Sequence, residues 1–296
     1  MGVETVMFDR VRKAEVMEKN DIPTDSSRDL LQELAKLDVF LSAGTEDSPV
    51  PAASRVVVYN DPRSAGADRF RLAQIRLKSL QAARKLKSVL ITSPLPGDGK
   101  STVSLNLATV LSEKGKVPVL LLEADVYRPT LVKRLGLKPW PGLTECYKRG
   151  DHPMLAIRRI SPLGFYLLPA GQPLEVGASL LQSNFASQLV KGLSSSSFTW
   201  ILIDSPPTTP IADVLALKAQ TDGTLLVARA GETPREGIEE SVRNLGHDHI
   251  LGIILNGVEG LNRTYSKYYG YGRSGAPAKS TKPKTMEGLG LNTHAK

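Results

Sequence analysis

Residues 93–102, SPLPGDGKST, carry the clearest chemical signal in this 296-residue chain. They follow an apolar run, SVLIT, and open a helical pattern, STVSLNLATVLSEKG. Glycines in such a turn let the backbone curl so that successive N–H groups face an anion. The N-terminus of the helix behind them adds partial positive charge. Lys100 is placed to reach the β- and γ-phosphates of a nucleoside triphosphate, and the Ser101 hydroxyl to ligate Mg²⁺. Gly97, Asp98, Gly99, Lys100, Ser101 and Thr102 are therefore the expected nucleotide-binding residues. The pattern G-x-x-x-x-G-K-[ST] is met except at its first glycine, which is Pro94 here. A glycine-rich turn with a chance Lys-Ser is the bland alternative, and the flanking strand and helix argue against it.

Two further apolar runs end in carboxylates. LLLEAD closes on Glu123 and Asp125, and ILID closes on Asp204. A carboxylate at such a strand end lies beside the phosphates and holds Mg²⁺ directly or through water. Ser101, Asp125 and Asp204 are the expected metal ligands, and Lys100, Glu123, Asp125 and Asp204 the expected catalytic set. Alone, Asp-Ser-Pro-Pro at 204–207 would read as turn chemistry. Asn256, at the end of IILN, is either a turn residue before Gly257 or an amide that reads a purine edge.

Four of the eight tyrosines, Tyr265, Tyr268, Tyr269 and Tyr271, lie close together near the C-terminus among Gly, Ser, Lys and Arg. Such a segment offers phenolic hydroxyls to an active site; its bland reading is a sticky low-complexity tail. A phenol has a pKa near 10 and needs a base to attack phosphorus at neutral pH. Glu123 and Asp125 are the candidates.

The elements that must position these residues follow from the rhythm of residues 88–258. Short, near-continuous apolar runs (SVLITS, VPVLLLEAD, GFYLLPAG, TWILIDSPP, GTLLVARAG, ILGIILNGV) alternate with helical patterns. Runs of this kind are parallel strands buried on both faces. The expected fold is α/β, a doubly wound, mainly parallel sheet with helices on both faces, followed by a disordered tail. Ligands on such sheets sit at the carboxyl ends of the strands, where every motif above falls. Upstream, 26–41 reads as a short amphipathic helix, 42–54 as a linker, RVVVY (55–59) as a strand and 67–87 as a basic helix. The expected division is an N-terminal extension at 1–54, a catalytic domain at 55–260 and a basic, tyrosine-rich tail at 261–296.

Composition fits an ordinary soluble protein, at 41% hydrophobic and 23% charged residues. No apolar stretch approaches the length of a membrane span, and the N-terminus lacks a secretory signal. The lone Cys146 fits a reducing, cytoplasmic setting. The net charge of +8 is partly concentrated in the tail, and no nucleic-acid-reading motif accompanies it.

The order of phosphate loop, acidic strand with Arg-Pro after it, Asp-x-Pro-Pro strand and terminal tyrosine cluster resembles the bacterial tyrosine autokinases of polysaccharide-export loci. The resemblance covers roughly 55–271. It implies ATP- and Mg²⁺-dependent phosphorylation of Tyr265, Tyr268, Tyr269 and Tyr271 in a neighbouring subunit's tail. That family's first acidic motif runs Asp-x-Asp-x-Arg; the matching positions are Glu123, Asp125 and Tyr127, with Arg128 next door. Its Glu-x-x-Arg-x-x-Arg helix joins subunits into a ring; Asp68 and Arg71 match the first pair, and Gln74 stands third. The resemblance also implies a separate integral membrane activator of the chain-length-regulator type, recruiting the protein to the inner face of the plasma membrane. Two rivals remain. A partition-type ATPase would carry an early lysine in the loop, which Ser93-Pro94-Leu95-Pro96 lacks. A non-catalytic, nucleotide-switched regulator would tolerate the changes at Glu123 and Tyr127.

Overall fold

The computed structural model describes residues 43–175, 177–209 and 211–258. The amphipathic segment expected at 26–41, the tail and its four tyrosines lie outside the described residues.

In chain order the strands are β1 (Gly44–Asp47), β2 (Ser88–Thr92), β3 (Val119–Glu123), β4 (Arg158–Ser161), β5 (Tyr166–Leu168), β6 (Trp200–Asp204), β7 (Gly223–Arg229) and β8 (Ile250–Asn256). The helices are α1 (Val57–Asn60), α2 (Ala65–Arg84), α3 (Lys100–Leu111), α4 (Leu131–Arg134), α5 (Leu143–Arg149), α6 (Gly177–Leu181), α7 (Asn184–Ser195), α8 (Ile211–Lys218) and α9 (Arg235–Leu245).

The strands form one sheet in the order β1-β4-β5-β3-β6-β2-β7-β8. Every neighbouring pair is parallel except β4 with β5. The expected doubly wound, mainly parallel α/β fold is present.

Period-2 alternation of the central strands feeds two cores. Leu90, Leu120, Leu122, Ile201 and Ile203 pack on one face with Leu189 and Leu193 of α7 and Val214 of α8. Val89, Ile91, Leu121, Trp200 and Leu202 pack on the other with Leu105 and Leu111 of α3 and Leu77 of α2. Burial on both faces explains why these strands read as continuous apolar runs.

Two segments depart from expectation. Within 42–54, read as a linker, Gly44–Asp47 forms β1 and pairs with β4 at the edge of the sheet. Short, charged strands suit an edge, where they discourage pairing with a further chain. RVVVY is not a strand. Arg55 takes a left-handed conformation (φ 56°) and Val57–Asn60 forms a helical turn. The cause is buried Asn106 of α3, whose Oδ1 accepts from Val58 N–H and whose Nδ2 donates to Arg55 O. That capture of the backbone overrides the β-propensity of three valines.

Because β6 lies between β3 and β2, the loops leaving these three strands converge on one crevice. The helix α3 starts there, directly after Gly99.

Candidate active site

A cavity of about 360 Å³ opens at the carboxyl ends of β2, β3 and β6, walled by Gly97, Gly99, Lys100, Ser101, Asp125 and Arg134. The glycines are needed where they stand. Gly97 and Gly99 have φ of 93° and 98°, a region that side chains strain to enter. A Cβ on Gly99 would also stand 2.0 Å from Asn256 Nδ2. Pro94 has no such demand, since its φ is not positive, so the missing first glycine leaves the curl intact.

The loop is braced from within and from behind. The buried Asp98 accepts from Leu95 N–H through Oδ2 (2.9 Å) and from the Thr233 hydroxyl through Oδ1 (2.7 Å). Asn256 Nδ2 donates to Asp98 O at 2.9 Å. Asp98 thus serves the loop's shape with its side chain, and the Asn256 amide, read from sequence as either a turn residue or a purine reader, grips the loop itself.

Lys100 Nζ pairs with Asp125 Oδ2 at 3.0 Å, and Asp125 Oδ1 accepts from Arg128 N–H at 3.2 Å. Asp204 is fully buried on the neighbouring strand. Its Oδ1 accepts from the Ser104 hydroxyl at 3.0 Å, while its Oδ2 is buried without a hydrogen-bond partner. Burial pushes the Asp204 pKa up to about 6; Lys100 and the Ser101 and Ser104 hydroxyls oppose the rise, and Asp125 adds to it. An unsatisfied buried carboxylate oxygen is costly. Beside Ser101 and Asp125, it fits a hydrated Mg²⁺, which keeps several waters and needs few protein ligands. Among the described residues no group of three or more His, Cys, Asp or Glu side chains forms a metal cluster. A site completed by a hydroxyl and by phosphate oxygens accords with that.

Glu123 is placed differently from expectation. Its carboxylate is buried, with Oε1 accepting from Thr130 N–H (2.6 Å) and Leu131 N–H (2.8 Å), and Oε2 from Ala170 N–H (3.2 Å). It caps the start of α4 and is absent from the cavity wall. Burial pushes its pKa up to about 7 against the pull of those three N–H groups. A carboxyl bonded in this way positions the loop after β3; it is not turned toward an incoming hydroxyl.

Sequence reasoning named Tyr127 without its partner and missed three groups, Asp213, Gln182 and Arg134. The Tyr127 hydroxyl donates to the buried Asp213 (Oδ2, 2.6 Å), whose Oδ1 accepts from Gln182 Nε2 at 2.9 Å. Burial first, then this bond, pushes the Tyr127 pKa up to about 12. The third is Arg134, whose Nη1 donates to Thr102 Oγ1 at 2.7 Å. These residues lie in sequence segments 127–137, 177–183 and 210–215, but nothing in their spacing says which way they face.

Asp68 and Arg71 form an exposed ion pair one turn apart on α2, where Arg71 also donates to Pro62 O. Gln74 turns inward and donates to Val110 O at 2.8 Å. Among the described residues no helix is long and apolar enough to cross a membrane.

Comparison with known proteins agrees with this geometry. The family model described as ParA, NUBPL iron-transfer P-loop NTPase, matches residues 85–278. The tyrosine-protein kinase YwqD of Bacillus subtilis (strain 168) is 30% identical over 217 residues, which cover 73% of this chain and 91% of that protein. The succinoglycan biosynthesis transport protein ExoP of Rhizobium meliloti (strain 1021) is 29% identical over 245 residues, covering 75% of this chain but 30% of its own length. Among solved structures, the kinase domain of the Escherichia coli tyrosine kinase ETK aligns with a TM-score of 0.63 at 25% identity, covering 69% of this chain and 80% of that one.

Proposed function

This chain belongs to the bacterial tyrosine-protein kinase family, built on a ParA-type P-loop NTPase domain, and from that premise we propose that it moves the γ-phosphate of ATP onto the tail tyrosines Tyr265, Tyr268, Tyr269 and Tyr271 of a neighbouring copy. The observation that carries the reading is the pairing, at adjacent strand ends, of a phosphate loop bearing Lys100 with an unsatisfied buried Asp204 oxygen.

In this reading the loop N–H groups and Lys100 hold the β- and γ-phosphates. Ser101, Asp125 and Asp204 would hold Mg²⁺, which draws charge off the phosphate oxygens when bound. Asp125, on the cavity wall, takes the phenolic proton as the tyrosine oxygen bonds to the γ-phosphorus. The bond from that phosphorus to the bridging oxygen breaks, and ADP leaves with the electron pair. Glu123 holds the loop that presents Asp125. The Asp68–Arg71 pair on exposed α2 supports a role in subunit contacts. A relative named for succinoglycan biosynthesis and transport supports a role in polysaccharide export. In this reading a separate membrane activator would recruit the protein to the inner face of the plasma membrane.

A second reading, a nucleotide-switched regulator without transfer, draws on one observation. Both departures from Asp-x-Asp-x-Arg, Glu123 and Tyr127, are engaged in internal hydrogen bonds.

Purified protein incubated with ATP and Mg²⁺, then mapped for phosphotyrosine, separates the two. Phosphate on the tail tyrosines, lost in Lys100→Ala, is expected. Nucleotide bound without any phosphotyrosine, with or without a membrane partner, would select the regulator.

A further inference from the structure

Arg134 is the last residue of α4 and reaches into the phosphate cavity from the wall facing the loop. Its bond to Thr102 Oγ1 uses Nη1, the one side-chain hydrogen bond it makes among the described residues. A guanidinium carries five N–H donors in a rigid fork suited to phosphate. Half-buried on the cavity wall, it has most of that fork uncommitted and open to a ligand. Lys100, by contrast, already faces a carboxylate. Burial pulls the Arg134 pKa down; the nearby Asp204 and Glu123 carboxylates oppose that fall, and Arg55 adds to it. The backbone above it is also set: Glu123 caps the first turn of α4, so the helix that carries Arg134 is anchored to β3.

Resting on the reading of this cavity as a triphosphate site, we propose that Arg134 is a direct phosphate ligand, a second cation supplied by α4 opposite Lys100. Its partner is the nucleotide's phosphate chain, met by the free edge of the guanidinium while Thr102 fixes the other edge. No bond to phosphorus is made or broken by it; it adds charge-assisted hydrogen bonds that Lys100, a point charge, cannot supply. The alternative is a brace whose whole purpose is the Thr102 contact.

The test is calorimetric titration of the full chain with Mg²⁺-ATP and Mg²⁺-ADP at two salt concentrations. Arg134→Ala is expected to weaken binding about tenfold to a hundredfold, the scale of a hydrogen bond to a charged group. Arg134→Lys should recover part of that loss, and Arg134→Gln none of it. The salt dependence of binding should become shallower in Ala and Gln and not in Lys, a change that a neutral brace would not produce. Wild-type affinity in Arg134→Ala, with binding lost in Lys100→Ala, would overturn the inference and leave the site standing. Wild-type affinity in Lys100→Ala would sink the site reading itself. Should Arg134→Ala fail to fold, equal affinities of Lys and Gln at this position would overturn the proposal.

Discussion

Glu123 and Asp204 sit side by side in register at the ends of β3 and β6, both buried, both carboxylates, both with pKa raised chiefly by burial. One has three backbone N–H partners, and the other leaves an oxygen with none. The difference teaches how a fold divides labour between like groups a strand apart. A satisfied buried carboxylate is a structural fastener. An unsatisfied one stores a cost that its neighbours offset in part and that a cation from outside can relieve.

The comparison can be broken most severely at Asp204. Asp204→Asn should lower phosphotyrosine formation by about 10²–10³-fold, the scale of losing one preorganised electrostatic group, and raise the Mg²⁺ concentration needed for half-maximal activity in a metal titration. Folding should be little harmed, or improved, because an unsatisfied buried charge is removed. An inactive, unstable Asp204→Asn would mean that the oxygen is structural after all.

Glu123→Gln should do the reverse. It sets an amide NH₂ against a backbone N–H and should cost about 1–3 kcal/mol of stability in urea unfolding. Transfer should fall only as far as the loop after β3 loosens. Full stability with activity abolished would make Glu123 a catalytic group and collapse the contrast.

A pH series sharpens it. Glu123 has a folded pKa near 7 against about 4.5 when unfolded. The folded state therefore binds more protons between these values, and stability falls as pH rises from about 4.5 through about 7. Asp204 contributes in the same sense up to about pH 6. The nucleotide-free wild type should thus unfold more readily at pH 7.5 than at pH 5, and Glu123→Gln should show a smaller difference. An identical slope in both would remove Glu123 from the account.

The smallest effect lies behind the loop. Asn256→Ala removes one donor from the loop carbonyl and should cost about 0.5–1.5 kcal/mol, with a modest rise in KM for ATP measured by steady-state kinetics.

The legible part of the molecule was the part whose side chains act locally. WILID and VLLLE announced buried parallel strands, and GDGKS announced the loop, because period and spacing are properties of a few adjacent residues. What stayed hidden depends on distant partners. The strand GTED is held by pairing with residues more than a hundred positions later. RVVVY turned helical because Asn106, in another helix, took its backbone groups. Glu123 looked like a base until the N–H groups of Thr130, Leu131 and Ala170 were seen to surround it. Arg134 gave no signal, because its direction depends on how a single helical turn is anchored.

Asn256 is at once the last residue of the C-terminal strand and a clamp on the phosphate loop. This strand therefore ends against the loop that walls the proposed site. Tyr265 follows nine residues later, a tether of roughly 30 Å at full stretch. Length alone thus permits each copy to serve itself, and any preference for a neighbour must be imposed by how the copies are arranged.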